Sequence, residues 1–290
     1  MLYPEGTAYH PTKNLYYISS VRTGTIGTVD EKGTFRVFYQ DSTLKSTYGM
    51  KVDTKRNRLW VCAADANYSM YSEPSTHKKM SRLIGLDLNT GSKTDDIDLS
   101  ALMEGKHFAN DLTLDDAGNI YITDSYSPVI YKVDAQMKAS IFTRNDWFKS
   151  EDIGLNGIEW SPDGYLIVAH NSKGQLFKVD LREPERITKI QVKTFFPGAD
   201  GLLWDSAGNL VLLQNKGVNK AFQLTSNDKW KSAEVKAYTL VEDRLHHPTT
   251  ATMNKGKIYA VNSKMNELSD PTAPPSKEFS LQVIRWVPAK

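Results

Sequence analysis

What the chain lacks narrows its class first. One cysteine, Cys62, in 290 residues excludes an intrachain disulfide and a cysteine-built metal site. Its setting, Leu59-Trp60-Val61-Cys62-Ala63, marks it as a small buried apolar residue. Runs of like charge are missing: 36 basic residues lie scattered among 34 acidic ones, for a net charge of +2, so neither nucleic acid nor an anionic membrane is expected as a partner. No apolar stretch reaches transmembrane length, although 40% of the residues are hydrophobic, enough for a large core. Long helical periodicity is absent as well, and Gly and Pro punctuate the chain too often for an α/β fold. The expectation is a soluble all-β protein. Met1-Leu2-Tyr3-Pro4-Glu5 carries no signal sequence, so the chain is read as either cytoplasmic or secreted with its leader removed. A lone sequon at Asn67-Tyr68-Ser69 does not decide between them.

What is present is a repeat. Asn110-Asp111-Leu112-Thr113-Leu114, Asn156-Gly157-Ile158-Glu159-Trp160 and Asp200-Gly201-Leu202-Leu203-Trp204 each precede a polar turn and a second apolar run. The same template fits at Glu5-Gly6, Tyr48-Gly49 and Pro248-Thr249. Six copies thus start near residues 5, 48, 110, 156, 200 and 248, mostly about 45 residues apart, the length of a four-stranded propeller blade. The second runs, such as Leu59-Trp60-Val61-Cys62 and Tyr165-Leu166-Ile167-Val168, are rich in β-branched and aromatic residues. Residues 1–290 are therefore read as a single six-bladed β-propeller domain. Two insertions, 66–81 and 264–278, follow second strands and belong on one face. Ring closure is the weak point: Leu281 to Val287 reads as the third strand of the sixth blade, leaving only Met1 to Tyr3 to pair as a fourth unless an upstream segment is missing.

First strands of a propeller line its channel, so equivalent starts converge at one depth. Glu5, Asn110, Asn156 and Asp200 would then face a common centre, offering two carboxylates and two amide oxygens to a hard cation. Calcium suits this set better than zinc, because neither cysteine nor paired histidines stand in the column. Asn-Gly and Asp-Gly are ordinarily hairpin signals. Here each pair precedes an apolar strand, and the turn comes about six residues later, as at Asp116-Ala117-Gly118.

With Pro4-Glu5-Gly6, Asn110-Asp111, Leu155-Asn156-Gly157 and Ala199-Asp200-Gly201 in place, the chain resembles the senescence marker protein and gluconolactonase family of calcium-dependent six-bladed propellers, related to diisopropyl fluorophosphatase and paraoxonase. The resemblance spans the whole chain. It implies one catalytic calcium held by Glu5, Asn110, Asn156 and Asp200, with a second, structural ion left open. It also implies hydrolysis of lactones or phosphotriesters, with Asp200 as base or nucleophile. One position departs from the pattern: Phe108 stands where gluconolactonases of this group carry an arginine, which argues against sugar lactones.

Loops after the second strands bring polar residues to the same face. Tyr48, Asp111, Asp124, His170, Gln214 and Asn262 are the residues expected to contact a small-molecule substrate. His107, His246 and His247 precede first strands, and His247, immediately before the sixth, is the preferred proton acceptor; His10 belongs to the opposite end of its blade. Two alternatives to a hydrolase remain at this point: a non-catalytic binding module with a structural metal, and a strictosidine synthase-like enzyme.

Overall fold

The computed structural model describes residues 2–289 and consists of six small antiparallel sheets, five of them built only from strands consecutive in sequence. It is a six-bladed β-propeller. The first strands are Thr7–His10, Ser46–Asp53, Ala109–Leu114, Leu155–Ser161, Ala199–Trp204 and Pro248–Asn254. Helix is limited to short 3-10 turns, the longest being Met265–Ser269. Among the described residues no helix is long and apolar enough to cross a membrane.

The apolar second runs fold as expected because both faces of each inner strand are covered by neighbouring blades. Between blades three and four, for example, Tyr121 and Ile130 pack with Leu155, Ile158, Leu166 and Phe177. Each such aliphatic or aromatic side chain contributes about 1.5–3 kcal/mol on burial. Cys62 is one of these residues, fully buried, and burial raises its thiol pKa well above the ordinary value. That leaves it a packing residue rather than a nucleophile.

Five first strands carry a β-bulge at the same place. Leu155 pairs with His170 and Ile158 with Val168, so Asn156 and Gly157 together oppose Ala169. The same two-against-one count holds at Tyr48-Gly49, Asn110-Asp111, Asp200-Gly201 and Thr249-Thr250. A bulge re-aims a side chain and strengthens local twist, and here it turns one residue per blade toward the axis. In blades two, four and five the following position is glycine, as Gly6 is in blade one, because the next blade lies against it. A Cβ on Gly157 would stand 2.3 Å from the Asp200 carbonyl oxygen, and one on Gly6 would meet the Tyr48 carbonyl at 2.2 Å. Asn-Gly in this chain is therefore a bulge and a close approach between blades, not a hairpin turn.

Blade six differs from the expectation. Its third strand stops at Val283, and Val287–Pro288 pairs with Ala237 and Tyr238 on the outer strand of blade five. Blade five thus has five strands and blade six has three. Leu2 and Tyr3 lie in no strand, and Met1 falls outside the described residues. Closure instead uses side chains, as the Thr249 hydroxyl donates to the Glu5 carbonyl at 2.7 Å.

Replacing Gly157 by Ala should lower stability by roughly 1–3 kcal/mol, read as a fall in melting temperature. An unchanged melting temperature would mean that the blades can separate here without cost.

Candidate active site

The five bulges bring Tyr48, Asn110, Asn156, Asp200 and Thr249, and the segment before the first strand brings Glu5, to the wall of one cavity of about 340 Å³ at the end of the channel where the first strands begin. The two insertions meet at its mouth. Tyr68 Oη lies 3.3 Å from Ser269 Oγ, and Asn67 donates to Tyr126 Oη at 2.9 Å.

A second ring of residues, each just beyond a second strand, fixes the first. Ser19 Oγ accepts from the Gly6 amide at 2.6 Å, and Ser125 Oγ accepts from Asn110 Nδ2 at 2.8 Å. Asn171 Nδ2 donates to the Ala199 carbonyl at 3.1 Å, Asn215 Nδ2 to Asp200 Oδ2 at 2.5 Å, and Ser263 Oγ to the His247 carbonyl at 2.6 Å. With the amide nitrogens of Asn110 and Asn171 committed, their oxygens are left facing the cavity. Glu5 Oε2, Asn110 Oδ1, Asn171 Oδ1 and Asp200 Oδ1 are all buried without a hydrogen-bond partner. An unpaired buried acceptor costs about 1–3 kcal/mol, and four around one cavity form a donor set for a hard cation. Among the described residues no three His, Cys, Asp or Glu side chains cluster as ligands, so a cation here would need the amide oxygens.

The electrostatics agree. Burial, then the Asp200 and Asp111 charges, push the Glu5 carboxyl well above its usual range. Asp200 rises to about 8, through burial first, opposed by its bond from Asn215 and reinforced by Asp111. Asp111 itself is raised by burial and moderated by Lys51. Further along the same first strands, Lys51 of blade two places its Nζ 2.5 Å from Glu159 Oε1 of blade four. His247 lines the cavity, and burial followed by the Lys216 charge lowers its pKa to about 4. Its imidazole is neutral at ordinary pH.

Several residues expected at the substrate lie elsewhere. Asp124 is fully buried outside the cavity wall, accepting 2.9 Å bonds from the amides of Phe108, Tyr126 and Ser127. His170 is buried against Phe177, with Nε2 3.4 Å from the Lys149 carbonyl. Gln214 donates to the Lys216 carbonyl at 3.0 Å. Asn262 donates to Gln282 Oε1 at 2.8 Å and accepts from the His246 amide at 2.9 Å. Asp111 is buried off the wall, one residue further along its strand than Asn110. Four of these share one cause. Side chains alternate along a strand, and Asp124, His170, Gln214 and Asn262 stand one residue before the inward-facing Ser125, Asn171, Asn215 and Ser263. His10 ends the first strand of blade one, at the far end from Glu5.

His107 is also structural: its Nδ1 lies 3.2 Å from Asp124 Oδ2, with Tyr131 Oη 3.2 Å away. Burial lowers its pKa, but the Asp124 hydrogen bond and charge outweigh this and leave it raised. A raised folded value means the unfolded chain binds fewer protons in that window. The stabilisation should be fully present below about pH 6.5 and disappear as pH rises through the folded value. Denaturant midpoints of the native chain and of His107→Gln, compared across pH, should converge on the alkaline side; a constant difference would show that protonation of His107 is irrelevant to stability.

The sequence profile described as the SMP-30/Gluconolactonase/LRE-like region matches residues 3–226. A search of curated proteins finds no match. Among solved structures, the major allergen Mala s 1 of Malassezia sympodialis superposes with a TM-score of 0.75 at 18% identity, covering 97% of this chain and 92% of that one. A luciferin-regenerating enzyme gives 0.64 at 13% identity, covering 99% and 91%. Virginiamycin B lyase from Staphylococcus aureus gives 0.62 at 14% identity, covering 86% and 74%. At these identities the likenesses establish the fold alone.

Proposed function

Because the chain belongs to the SMP-30/gluconolactonase/LRE-like family, we propose that it is a calcium-dependent hydrolase of small esters, acting on lactones first and on phosphotriesters as a secondary class. The observation that carries the reading is the set of four unpaired buried oxygens, from Glu5, Asn110, Asn171 and Asp200, on one cavity wall. These residues would hold the ion, with Asn156 beside them on the same wall. When bound, a calcium ion would supply Lewis-acid polarisation of the substrate oxygen and stabilise the carboxylates in their charged forms.

The chain's own groups supply the rest. Asn215 fixes Asp200 through Oδ2; Oδ1, on the cavity side, would attack the ester carbonyl carbon, breaking its C–O bond with the ring or alkoxy oxygen as leaving group, or would take a proton from the attacking water. His247 is a neutral imidazole on the same wall and can accept a proton at neutral pH. The two insertions meet at the mouth through Tyr68 and Ser269 and would limit the size of the substrate. A cavity of about 340 Å³ suits a small ligand, at the lower end of the usual range.

Purified protein should contain stoichiometric calcium, and chelator should lower its melting temperature, with calcium restoring it. A lactone and aryl-ester panel should show turnover that is lost with chelator. Asp200→Asn should abolish turnover in a folded chain, and Asn171→Ala should weaken calcium binding by roughly tenfold or more. Metal-loaded, folded protein without turnover on the panel would overturn the hydrolase reading, and absence of any calcium effect on melting would overturn the cation site.

A further inference from the structure

Blade six lacks the outer strand that the other five blades have. Its third strand, Ser280–Val283, pairs on one side with Lys257–Asn262 and, among the described residues, with nothing on the other. Just past its end the Ile284 amide donates to the carbonyl of Ile258, directly opposite, at 2.9 Å. Ile284, Gln282 and Ser280 therefore turn their backbone groups toward the neighbouring strand, and the alternation of an antiparallel ladder turns those of Leu281 and Val283 outward. Among the described residues neither has a backbone partner on that side. Such an edge is a template for one more strand.

The side chains beside the edge are uncovered as well. Val261 and Leu281 pair on one face of blade six, as do Tyr259 and Val283, and this face looks toward blade one. Opposite it stand Val29 and Phe35, paired across the outer hairpin of blade one. Between the two faces lies a cleft of about 770 Å³. Tyr16 and Tyr259, with ring centroids 5.4 Å apart, join the blades on its inner side, and Phe279 packs edge-on against Tyr3 at 5.1 Å. Phe35 is 40% exposed and Val283 39%. The seam between blades one and two is filled by contrast, since the outer strand of blade one adds Phe38 and Tyr39 to a core with Tyr17, Ile26 and Leu86.

Charge gives the cleft a direction. Asp30 and Glu31 stand at the end where the outer hairpin of blade one turns, and Lys277 and Glu278 at the other. Hydrogen bonds from the Thr34 and Lys32 amides keep the Asp30 carboxyl ionised below its usual range, and Glu31 has a 3.7 Å contact with the exposed Lys255. A strand antiparallel to Ser280–Val283 would enter at this acidic end.

We propose that the seam between blades six and one is a docking groove for an extended segment of a partner polypeptide, which supplies the missing fourth strand. The segment carries a basic residue at its leading end, against Asp30 and Glu31, and branched apolar residues at every second position after it. Those residues stand opposite Val283 and Leu281, exchange backbone hydrogen bonds with them, and place their side chains in the cleft.

The test uses the full chain and a fluorescein-labelled peptide amide, Arg-Val-Thr-Val-Thr-Val, read by anisotropy. The peptide should bind saturably. The same peptide N-methylated at its first two valines keeps the side chains and loses the donors, and should bind at least about tenfold more weakly. Val283→Pro removes an outward amide that the blade's own pairing does not use, so peptide affinity should fall roughly five- to tenfold with the melting temperature unchanged. Glu31→Lys should weaken binding roughly two- to fivefold. Equal affinity of the native chain for the two peptides, or no saturable binding, would overturn the proposal whether or not the variants fold. A dimer that Val283→Pro abolishes, with no peptide bound by the native chain, would also overturn it and give the edge to a second copy.

Discussion

Close approach between neighbouring first strands is the constraint on which the site depends. Each bulge turns a residue toward the axis, and the glycines at 6, 49, 157 and 201 let the next blade's backbone come within contact. Without that approach, Glu5, Asn110 and Asp200 would sit on separate blades facing solvent. With it, their oxygens share a small buried volume, and the acidic members are pushed toward protonation by burial and by one another. The arrangement is costly by itself and becomes favourable when a cation compensates it. The fold thus prepares a charge imbalance that a bound cation would resolve.

Around this centre the chain divides labour between two rings of residues. The inner ring presents oxygens and the Tyr48 hydroxyl; the outer ring of Ser19, Ser125, Asn171, Asn215 and Ser263 fixes backbone and amide groups. Asn171 belongs to both, holding the Ala199 carbonyl with its nitrogen and leaving its oxygen toward the cavity. Asp124 has a comparable indirect importance. It lies off the cavity wall, yet it ties the segment before Ala109 that carries Phe108 to the turn after Asp124 that carries Tyr126, and His107 and Tyr131 close around it.

Much of this was legible in the sequence, for identifiable reasons. Six repeats at blade length specify the propeller, and the column position could be read because a polar residue before Gly recurs ahead of an apolar strand. The bulge itself could not be read, since two residues opposing one is a property of pairing. Strand ends were harder. The polar residues after the second strands come in adjacent pairs, and the choice of His170 over Asn171 or Gln214 over Asn215 turns on one step of alternation that sequence does not mark. Asn171 could have been found by carrying the period of two from Ile167 and Ala169 through the strand end. The third strand of the sixth blade was read too long, because Val287 and Pro288 pair with blade five, a contact between segments about fifty residues apart that no local pattern encodes.

The central claim is that one divalent cation is held by the converging oxygens. A crystal structure of the protein grown with calcium, read through an anomalous difference map, tests it most directly. The account requires a single strong peak in the channel, within ligand distance of Glu5 Oε2, Asn110 Oδ1, Asn171 Oδ1 and Asp200 Oδ1. A map without a peak there, with those four oxygens instead bonded to ordered water or to one another, would contradict it.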